Sequence, residues 1–330
     1  MRVGIDTSPL VQTRAGTARH VRGLVSALRG RRDLELEILS FGGSGKLSSV
    51  VRDSAWYPFG IARRARDLDV LHCTTFRGPR SSPVPTVLTV HDLAILRYPE
   101  AFPTWHRLYG SAGLRRALRA ADALVAVSEF TKDEVVALAG VPAERVRVIP
   151  NGVDEVFRPP DRGVEPPSDT VSQGDYVLAV ATLEPRKNLE RVVEAARLAA
   201  VELRVVGARG WGGVDVPGWV GEIPDTELAR LYGGARAVVY ASLYEGFGLP
   251  LLEAMASGTP VVTSRVSAPE EVAGGAAVLV DPLDPESIAG GIADALARRD
   301  ELVPLGLARA REFTWERTAD GVESLWGELV

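Results

Sequence analysis

Residues 237–262 read AVVYASLYEGFGLPLLEAMASGTPVV, and this stretch constrains the fold more than any other. Ala237–Ser242 is an apolar run rich in Val and Tyr, of the length of a buried strand. Tyr244–Leu249 follows as a loop with two glycines. Pro250 falls where a helix accepts proline, in its first turn. Leu251–Ala256 is helix-forming, and Gly258 is placed to end that helix. Thr259–Val262 opens another buried strand. Strand, glycine loop, helix and strand in succession form a unit of α/β architecture.

The unit also suggests chemistry. Gly246 and Gly248 let backbone N–H groups approach an anion without an intervening side chain, and a helix N-terminus adds unpaired N–H groups with partial positive charge. Glu245 precedes the loop and Glu253 lies one turn into the helix. Carboxylates there fit hydroxyl groups on a ligand that carries sugar as well as phosphate. The same residues also fit a plain strand–helix turn, with Glu253 merely near the favourable dipole end, and glycine loops alone do not separate the two.

EGFGLPLLEAMASGTPVV closely resembles the E-x(7)-E signature of retaining, nucleotide-sugar-dependent glycosyltransferases of family four, including bacterial mannosyltransferase-like members. Glu245 and Glu253 match its two glutamates. The resemblance implies the GT-B fold: α/β, two doubly wound Rossmann-like domains facing across a cleft, with a C-terminal helix crossing back to the first. It covers nearly the whole chain and is strongest at Thr182–Asn188 and Tyr240–Val262.

The 330-residue length and the distribution of charge agree with two domains. Residues 1–160 carry a balance of +7 and residues 161–330 one of −12, and all four histidines lie in the first half. The expected division is 1–157 for an acceptor-side domain, 158–175 for a proline-rich linker, 176–312 for a donor-binding domain and 313–330 for the crossing helix. The lone Cys73 excludes an intrachain disulfide and suits a reducing compartment. No apolar run approaches the ~18–20 residues of a membrane span. Asp6 interrupts the apolar core that a signal peptide needs. The expected location is the cytoplasm or the inner face of its membrane.

In the first half, the strand Arg2–Ile5, the polar loop Thr13–Thr17 with Gly16, and the helical spacing of Val21, Leu24, Val25 and Leu28 open a doubly wound domain. The loop resembles the family's first glycine loop. Thr86–Val90 delivers His91 and Asp92 at the carboxyl end of a strand, where open α/β sheets bind ligands. There His91 can donate a hydrogen bond to a sugar hydroxyl or be satisfied by the neighbouring backbone, and HDLAILRYPEAF resembles the family's HDL…P-E-x-F segment, which implies that His91 lines the donor site. SEFTKDEV and VRVIPNGVD resemble further family segments, and Ser128 is expected to cap a helix over Glu129–Ala139.

In the second half, TLEPRKN resembles the family's first loop of the donor domain, whose lysine, here Lys187, holds the diphosphate. Many members place an arginine just after the preceding strand. Thr182 occupies that position here, and Arg186 is the candidate substitute. Asn188 is expected to cap the helix Leu189–Ala200. Only ARGWGGVD separates Gly207 from the next strand, too little for the helix that relatives insert, so that edge of the sheet is expected to be thinly covered. Ile223 and Leu228 fall in a segment that lies beside the nucleotide base in the family.

The resemblance thus implies a hexosyltransferase, of mannose or glucose type, in cell-envelope polysaccharide biosynthesis. Glu245, Lys187, Arg186 and His91 are the candidate catalytic residues. Gly16, Thr182, Gly207, Ile223, Leu228, Gly246, Phe247, Gly248, Leu249 and Glu253 are the candidate donor-binding residues. No metal or other cofactor is expected, since a lysine and a helix N-terminus can carry the phosphate charge. The expected partners are a nucleotide sugar, a glycan or lipid-linked acceptor and an anionic membrane surface, with no nucleic acid. Arg63–Arg66, and Arg115–Arg119 beside an apolar stripe of Leu114, Leu118 and Ala121, are the candidate membrane contacts, the alternative being that these leucines pack in the core. A GT-B epimerase and a non-catalytic nucleotide-sugar-binding protein are the alternatives. Pocket shape sets the sugar, the base and the acceptor.

Overall fold

The computed structural model describes residues 1–12, 16–43, 45–99, 111–159, 174–211, 213 and 216–330. Four expected features lie wholly or partly outside them: loop residues 13–15, residues 100–110 with Arg107 and the end of the HDLAILRYPEAF segment, linker residues 160–173, and residues 212, 214 and 215 of the ARGWGGVD connection. The chain divides into two compact units, Met1–Gly152 with Thr314–Val330, and Val153–Phe313.

Unit 1 is built on a six-stranded parallel sheet in the order β2-β1-β3-β4-β5-β6. The strands are β1 Arg2–Asp6, β2 Glu35–Leu39, β3 Val70–Cys73, β4 Thr86–Val90, β5 Ala123–Ala126 and β6 Val146–Val148. β3, β4 and β5 are buried at every position, as expected for central parallel strands covered on both faces. β2 is an edge strand and leaves Ile38 exposed. Cys73 is a buried free thiol, and burial pushes its pKa up.

The helices of unit 1 are α1 Gly16–Leu28, α2 Lys46–Val51, α3 Ile61–Arg64, α4 Ala94–Arg97, α5 Ser111–Ala120 and α6 Glu129–Glu134, joined later by the C-terminal helix. A π-helical segment, Arg52–Gly60, links α2 to α3, and a second, Val135–Ala139, extends α6. Ser128 caps α6 through Thr131 N–H at 3.0 Å. The C-terminal helix, Trp315–Gly327, packs on α1. A Cβ on Gly23 would lie 2.1 Å from the Trp315 indole, so only glycine allows this approach. Val21, Leu24, Ala319, Val322 and Trp326 share one core cluster.

One expectation fails here. Leu114, Leu118 and Ala121 are not a lipid-facing stripe: they are 3%, 0% and 3% exposed and belong to the core. The neighbouring arginines are engaged inward too, Arg115 Nε donating to Leu138 O and Arg119 Nε to Ala139 O. The strong amphipathicity of this helix comes from packing its apolar face on the sheet.

Unit 2 repeats the plan with a parallel sheet in the order β12-β11-β10-β7-β8-β9. Its strands are β7 Tyr176–Val180, β8 Glu202–Val206, β9 Trp219–Gly221, β10 Ala237–Tyr240, β11 Val261–Ser264 and β12 Val278–Val280. Its helices are α7 Leu189–Leu198, α8 Asp225–Gly234, α9 Leu249–Ala256, α10 Ala268–Ala273, α11 Pro285–Ala297 and α12 Arg299–Ala310, so Trp315–Gly327 is α13. The core joins Val177, Val205, Val239 and Val262 with Leu189, Val192, Ile288 and Ile292. Among the described residues no helix lies between β8 and β9. A groove of about 590 Å³ opens at that edge, lined by Val193, Ala196, Leu203, Trp219 and Val220 among others. α12 has no counterpart in the elements read from sequence, because Pro304 interrupts its helical signal.

Candidate active site

β10 ends at Tyr240, in the middle of the unit 2 sheet beside β7 and β11. The chain then forms the loop 241–248 and enters α9. Gly248 has φ +112° and stands at the helix N-cap, a conformation that a side chain rarely adopts, and Pro250 sits in the first turn. Gly258, at φ +75°, follows the helix end at Ser257. Pro250 has no N–H and the Leu251 N–H donates to Gly248 O at 3.0 Å, so the N–H groups that the positive end of the α9 dipole presents are those of Gly248 and Leu249.

Glu245 lies in this loop with its side chain only 9% exposed and both oxygens engaged. Arg186 Nη1 donates to Oε2 at 3.0 Å, and Lys187 Nζ donates to Oε1. Arg186 is also paired with Glu184, at 2.8 Å, and donates to the Tyr244 carbonyl at 3.0 Å. Burial alone would raise the carboxyl pKa of Glu245, but the Lys187 and Arg186 cations override it and hold it at about 2. Burial, together with the Arg186 charge, lowers the Lys187 ammonium against the pull of Glu245. The four side chains thus form two cations and two carboxylates, with Arg186 and Lys187 pre-positioned by their acidic partners. That extends the expectation for Glu245, which serves first as the counter-ion of both cations. Side-chain hydrogen bonds from Ser242 and Tyr240 reach the same carboxylate.

The backbone stitches the same two loops together. Leu243 N–H donates to Arg186 O at 2.8 Å, while Ala268 N–H, at the start of α10, donates to Glu245 O at 3.3 Å and ties the loop after β10 to that helix as well. Asn188 completes the join, but not as the expected helix cap. Its φ is +61° and its side chain accepts from no backbone N–H of the first turn of α7; its Oδ1 accepts from Arg191 Nη1 at 2.9 Å. Instead its Nδ2 donates to Ala241 O at 2.9 Å and Pro282 O at 2.6 Å, tying the loops after β7, β10 and β12. Capping and loop-bridging use the same polar amide, and only the fold decides between them.

Glu253 is on α9, 1% exposed, and accepts from Tyr232 Oη at 2.9 Å. Phe247 is buried edge-on against Phe313 at 5.8 Å, and Leu249 is buried beside it in sequence. Thr182 is half-buried in the loop after β7. Gly207 is explained by backbone approach: its φ is +149°, and a Cβ there would lie 2.0 Å from Ala181 O. Ile223 is half-buried, whereas Leu228 is 3% exposed on α8, so Ile223 is the better placed to meet a ligand. Tyr232 and Glu184 were not singled out in the sequence. Glu184 stands inside TLEPRKN, but nothing local to Tyr232 pairs it with a residue 21 positions away.

In unit 1, Gly16 begins α1 and His91 follows β4. Nε2 of His91 lies 2.9 Å from the Thr74 carbonyl, which can only accept, so Nε2 carries the hydrogen. Burial lowers the His91 pKa, and the ring is neutral at neutral pH. Its other nitrogen, Nδ1, is therefore an acceptor. This corrects the expectation that His91 donates to a sugar hydroxyl: the donating nitrogen is spent on Thr74. Among the described residues, no group of three or more His, Cys, Asp or Glu side chains is placed to hold a metal ion. No helix among them is long and apolar enough to cross a membrane.

Residues 14–157 match the family described as Glycosyltransferase Family 4, and residues 165–306 that described as Glycosyl transferases group 1. The chain is 36% identical over 256 residues to O-antigen chain mannosyltransferase B of Escherichia coli, covering 70% of this chain and 67% of that protein. It is 30% identical over 309 residues to the MMP alpha-(1->4)-mannosyltransferase of Mycolicibacterium hassiacum, covering 82% and 73%. It spans only 38% of the serotype-specific mannosyltransferase WbdA of Escherichia coli, at 30% identity over 84% of this chain. In fold it is similar to sucrose-phosphate synthase of Thermosynechococcus elongatus, with a TM-score of 0.78 and 20% identity over 100% of this chain and 99% of the other. The paired α/β units, the glutamate-bearing loop of β10 and these likenesses agree: the chain belongs to the family 4 glycosyltransferases and has the GT-B fold.

Proposed function

We propose that this glycosyltransferase moves a hexose of mannose type from a nucleotide diphosphate sugar to a glycan or lipid-linked acceptor of the cell envelope, with retention and without a metal. The carrying observation is the pairing of Arg186 and Lys187 with Glu245 in the loop that leads into α9. The chemical difficulty is departure of the nucleotide diphosphate as negative charge develops on its oxygens. Arg186, Lys187 and the Gly248 and Leu249 N–H groups at the start of α9 are fixed donors suited to that charge, and preorganised donors are commonly the largest catalytic contribution. Glu245 orients the cations and accepts from sugar hydroxyls, and Glu253, steadied by Tyr232, accepts from the ribose. His91 Nδ1 accepts from a hydroxyl of the transferred sugar. The mannosyltransferase names of the relatives favour this reading over epimerisation and over binding without turnover.

A thermal-shift panel of nucleotide sugars, followed by nucleotide release in the presence of a chelator, tests the proposal. A mannose donor should raise the melting temperature most, since stabilisation grows with the logarithm of ligand concentration over dissociation constant. Turnover should survive the chelator. Stabilisation by no nucleotide sugar would overturn the donor class. Activity lost to the chelator and restored by magnesium or manganese would overturn the metal-free mechanism.

Contact with an anionic membrane belongs to the same proposal, at a different place from the buried α5 stripe. Leu47, Val51 and Phe59 are 78%, 39% and 48% exposed and, with exposed Ala55 and Arg63, recur every four residues from α2 to α3. The π-helical segment between them, with its wider turn, keeps such residues on one face. Arg63, Arg64 and Arg66 are exposed at the end of this row, and Arg80 stacks on Phe59 at 5.1 Å. An apolar row with a cationic end suits insertion at anionic headgroups. Co-sedimentation with anionic vesicles should fall with salt and be lost in Leu47→Asp/Phe59→Asp. Equal binding by that variant would remove this face from the proposal.

A further inference from the structure

His91 is held by more than its own loop. A single hydrogen bond from Nε2 to Thr74 O leaves an imidazole free to pivot about that bond. The ring of His20, on the second turn of α1, stands 4.7 Å from the His91 ring at 77°, an edge contact that blocks the pivot. His20 is itself immobilised. It is 1% exposed, its Nδ1 lies 2.7 Å from Asn151 Oδ1, and the Trp315 indole stands 6.1 Å away at 69°. Asn151 is 3% exposed in the turn after β6. One continuous series, Asn151, His20, His91 and Thr74, thus links the carboxyl ends of β6, β4 and β3 through α1.

The tautomers follow from the partners. Thr74 O fixes the hydrogen of His91 on Nε2, and an accepting Asn151 Oδ1 fixes that of His20 on Nδ1. The Nε2 of His20 is buried without a hydrogen-bond partner among the described residues. Both rings are disfavoured as cations by burial, and His91 adds to that effect on His20. A buried imidazole that spends one nitrogen on Asn151 and leaves the other unsatisfied is a costly way to fill space, since leucine would fill it without an unpaired acceptor.

We infer that His20 is a positioning residue for the transfer reaction: anchored by Asn151, it holds the His91 ring so that Nδ1 faces the substrate hydroxyl. The inference rests on the reading of His91 as a substrate-contacting group. His20 touches no substrate, and its effect passes through His91 alone.

Two measurements on the full chain test it. In the first, ¹⁵N-histidine-labelled protein near neutral pH is examined by NMR without any ligand. His91 should be the Nε2–H tautomer and His20 the Nδ1–H tautomer, and His20→Leu should turn the single His91 state into a mixture. A hydrogen on Nδ1 of His91, or an unchanged His91 signal in the variant, would overturn the inference.

The second is a cycle of His20→Leu and His91→Ala, reading nucleotide release from the best donor of the thermal-shift panel. Misplacing a reacting group by about an ångström can cost roughly 100-fold, so His20→Leu should lower kcat about 10- to 100-fold with the donor KM within about twofold. On top of His91→Ala it should change kcat by less than about twofold. His20→Phe, which keeps a ring, should recover part of the rate. Should His20→Leu not fold, Asn151→Ala takes its place in the same cycle. Additive losses, or a wild-type kcat in folded His20→Leu, would end the positioning role while leaving His91 in the mechanism. A wild-type kcat in His91→Ala would remove both residues from the mechanism and leave glycosyl transfer itself untouched.

Discussion

At the scale of single residues, Lys187 and Glu245 look equivalent in sequence, because both lie in loops where truncation is ordinarily mild for folding. The structure separates them. Lys187→Ala leaves Glu245 paired with Arg186, so no buried charge is stranded. Glu245→Ala leaves the buried Lys187 ammonium without its carboxylate, and Arg186 with Glu184 as its one remaining ion-pair partner in this cluster. Breaking a buried ion pair from one side typically costs about 3–5 kcal/mol. Lys187→Ala should therefore lower kcat about 100- to 1,000-fold, the ~2.7–4 kcal/mol of a lost charge stabiliser, with a much smaller change in unfolding free energy. Glu245→Ala should lose both activity and several kcal/mol of stability. Urea unfolding beside nucleotide-release kinetics distinguishes the two. Equal stability of the variants would mean that the cations find other partners.

At the scale of elements, the site depends on how strand-end loops are held together. Asn188 satisfies two buried carbonyls from different loops. Asn188→Ala leaves both unpaired, at ~1–3 kcal/mol each, and puts a Cβ residue with no amide at φ +61°. The expected result is a loss of roughly 2–4 kcal/mol in urea and a raised donor KM, because the loops bearing Lys187 and Glu245 are no longer tied. Gly207 works by close approach rather than by hydrogen bonding. Gly207→Ala forces a Cβ to 2.0 Å from Ala181 O at a φ reserved for glycine. Overpacking and backbone strain of ~1–3 kcal/mol each should combine, and an unchanged urea midpoint would show that the loop after β7 yields. Neither requirement could be read along the chain, because each partner comes from a separate strand–loop–helix unit.

At the scale of the whole molecule, the histidines make stability depend on acid. His20 and His72, both buried, and half-buried His91 all lie in unit 1 as neutral rings, with His72 pushed down to about 3 by burial and by His91. Above the ordinary value of 6.5 the folded and unfolded chains are equally neutral at these positions. Below it the unfolded chain takes up protons that the folded chain refuses, so stability falls as pH drops from 6.5 towards the folded values. Each such histidine contributes ~1.4 kcal/mol per pH unit while only the unfolded state is protonated. Asp6, raised from 3.8 by burial, opposes this trend in more acid solution. Glu245, lowered from 4.5 to about 2, adds to the loss below 4.5. The melting temperature should be level between pH 7 and 8 and fall steadily from about 6.5 to 5. A level profile through that range would mean that these rings protonate without unfolding.

By itself the sequence determined the strand–helix rhythm of both units, the family, and the loops that carry Arg186, Lys187, Glu245 and His91. These are written in local pattern: apolar runs of strand length, glycine and proline at element ends, and a signature within one loop and one helix. What touches what was left to the tertiary structure. The amphipathic α5 reads equally well as a lipid-facing or a core-facing helix, and the sheet decided for the core. Asn188 had the composition of a cap and became a bridge, and His91 was placed as a donor but spends its donor on Thr74. His20 and Tyr232 acquired partners 131 and 21 positions away. Periodicity reports which face of an element is apolar. Only the closing of one element on another decides which polar atom is left for a ligand.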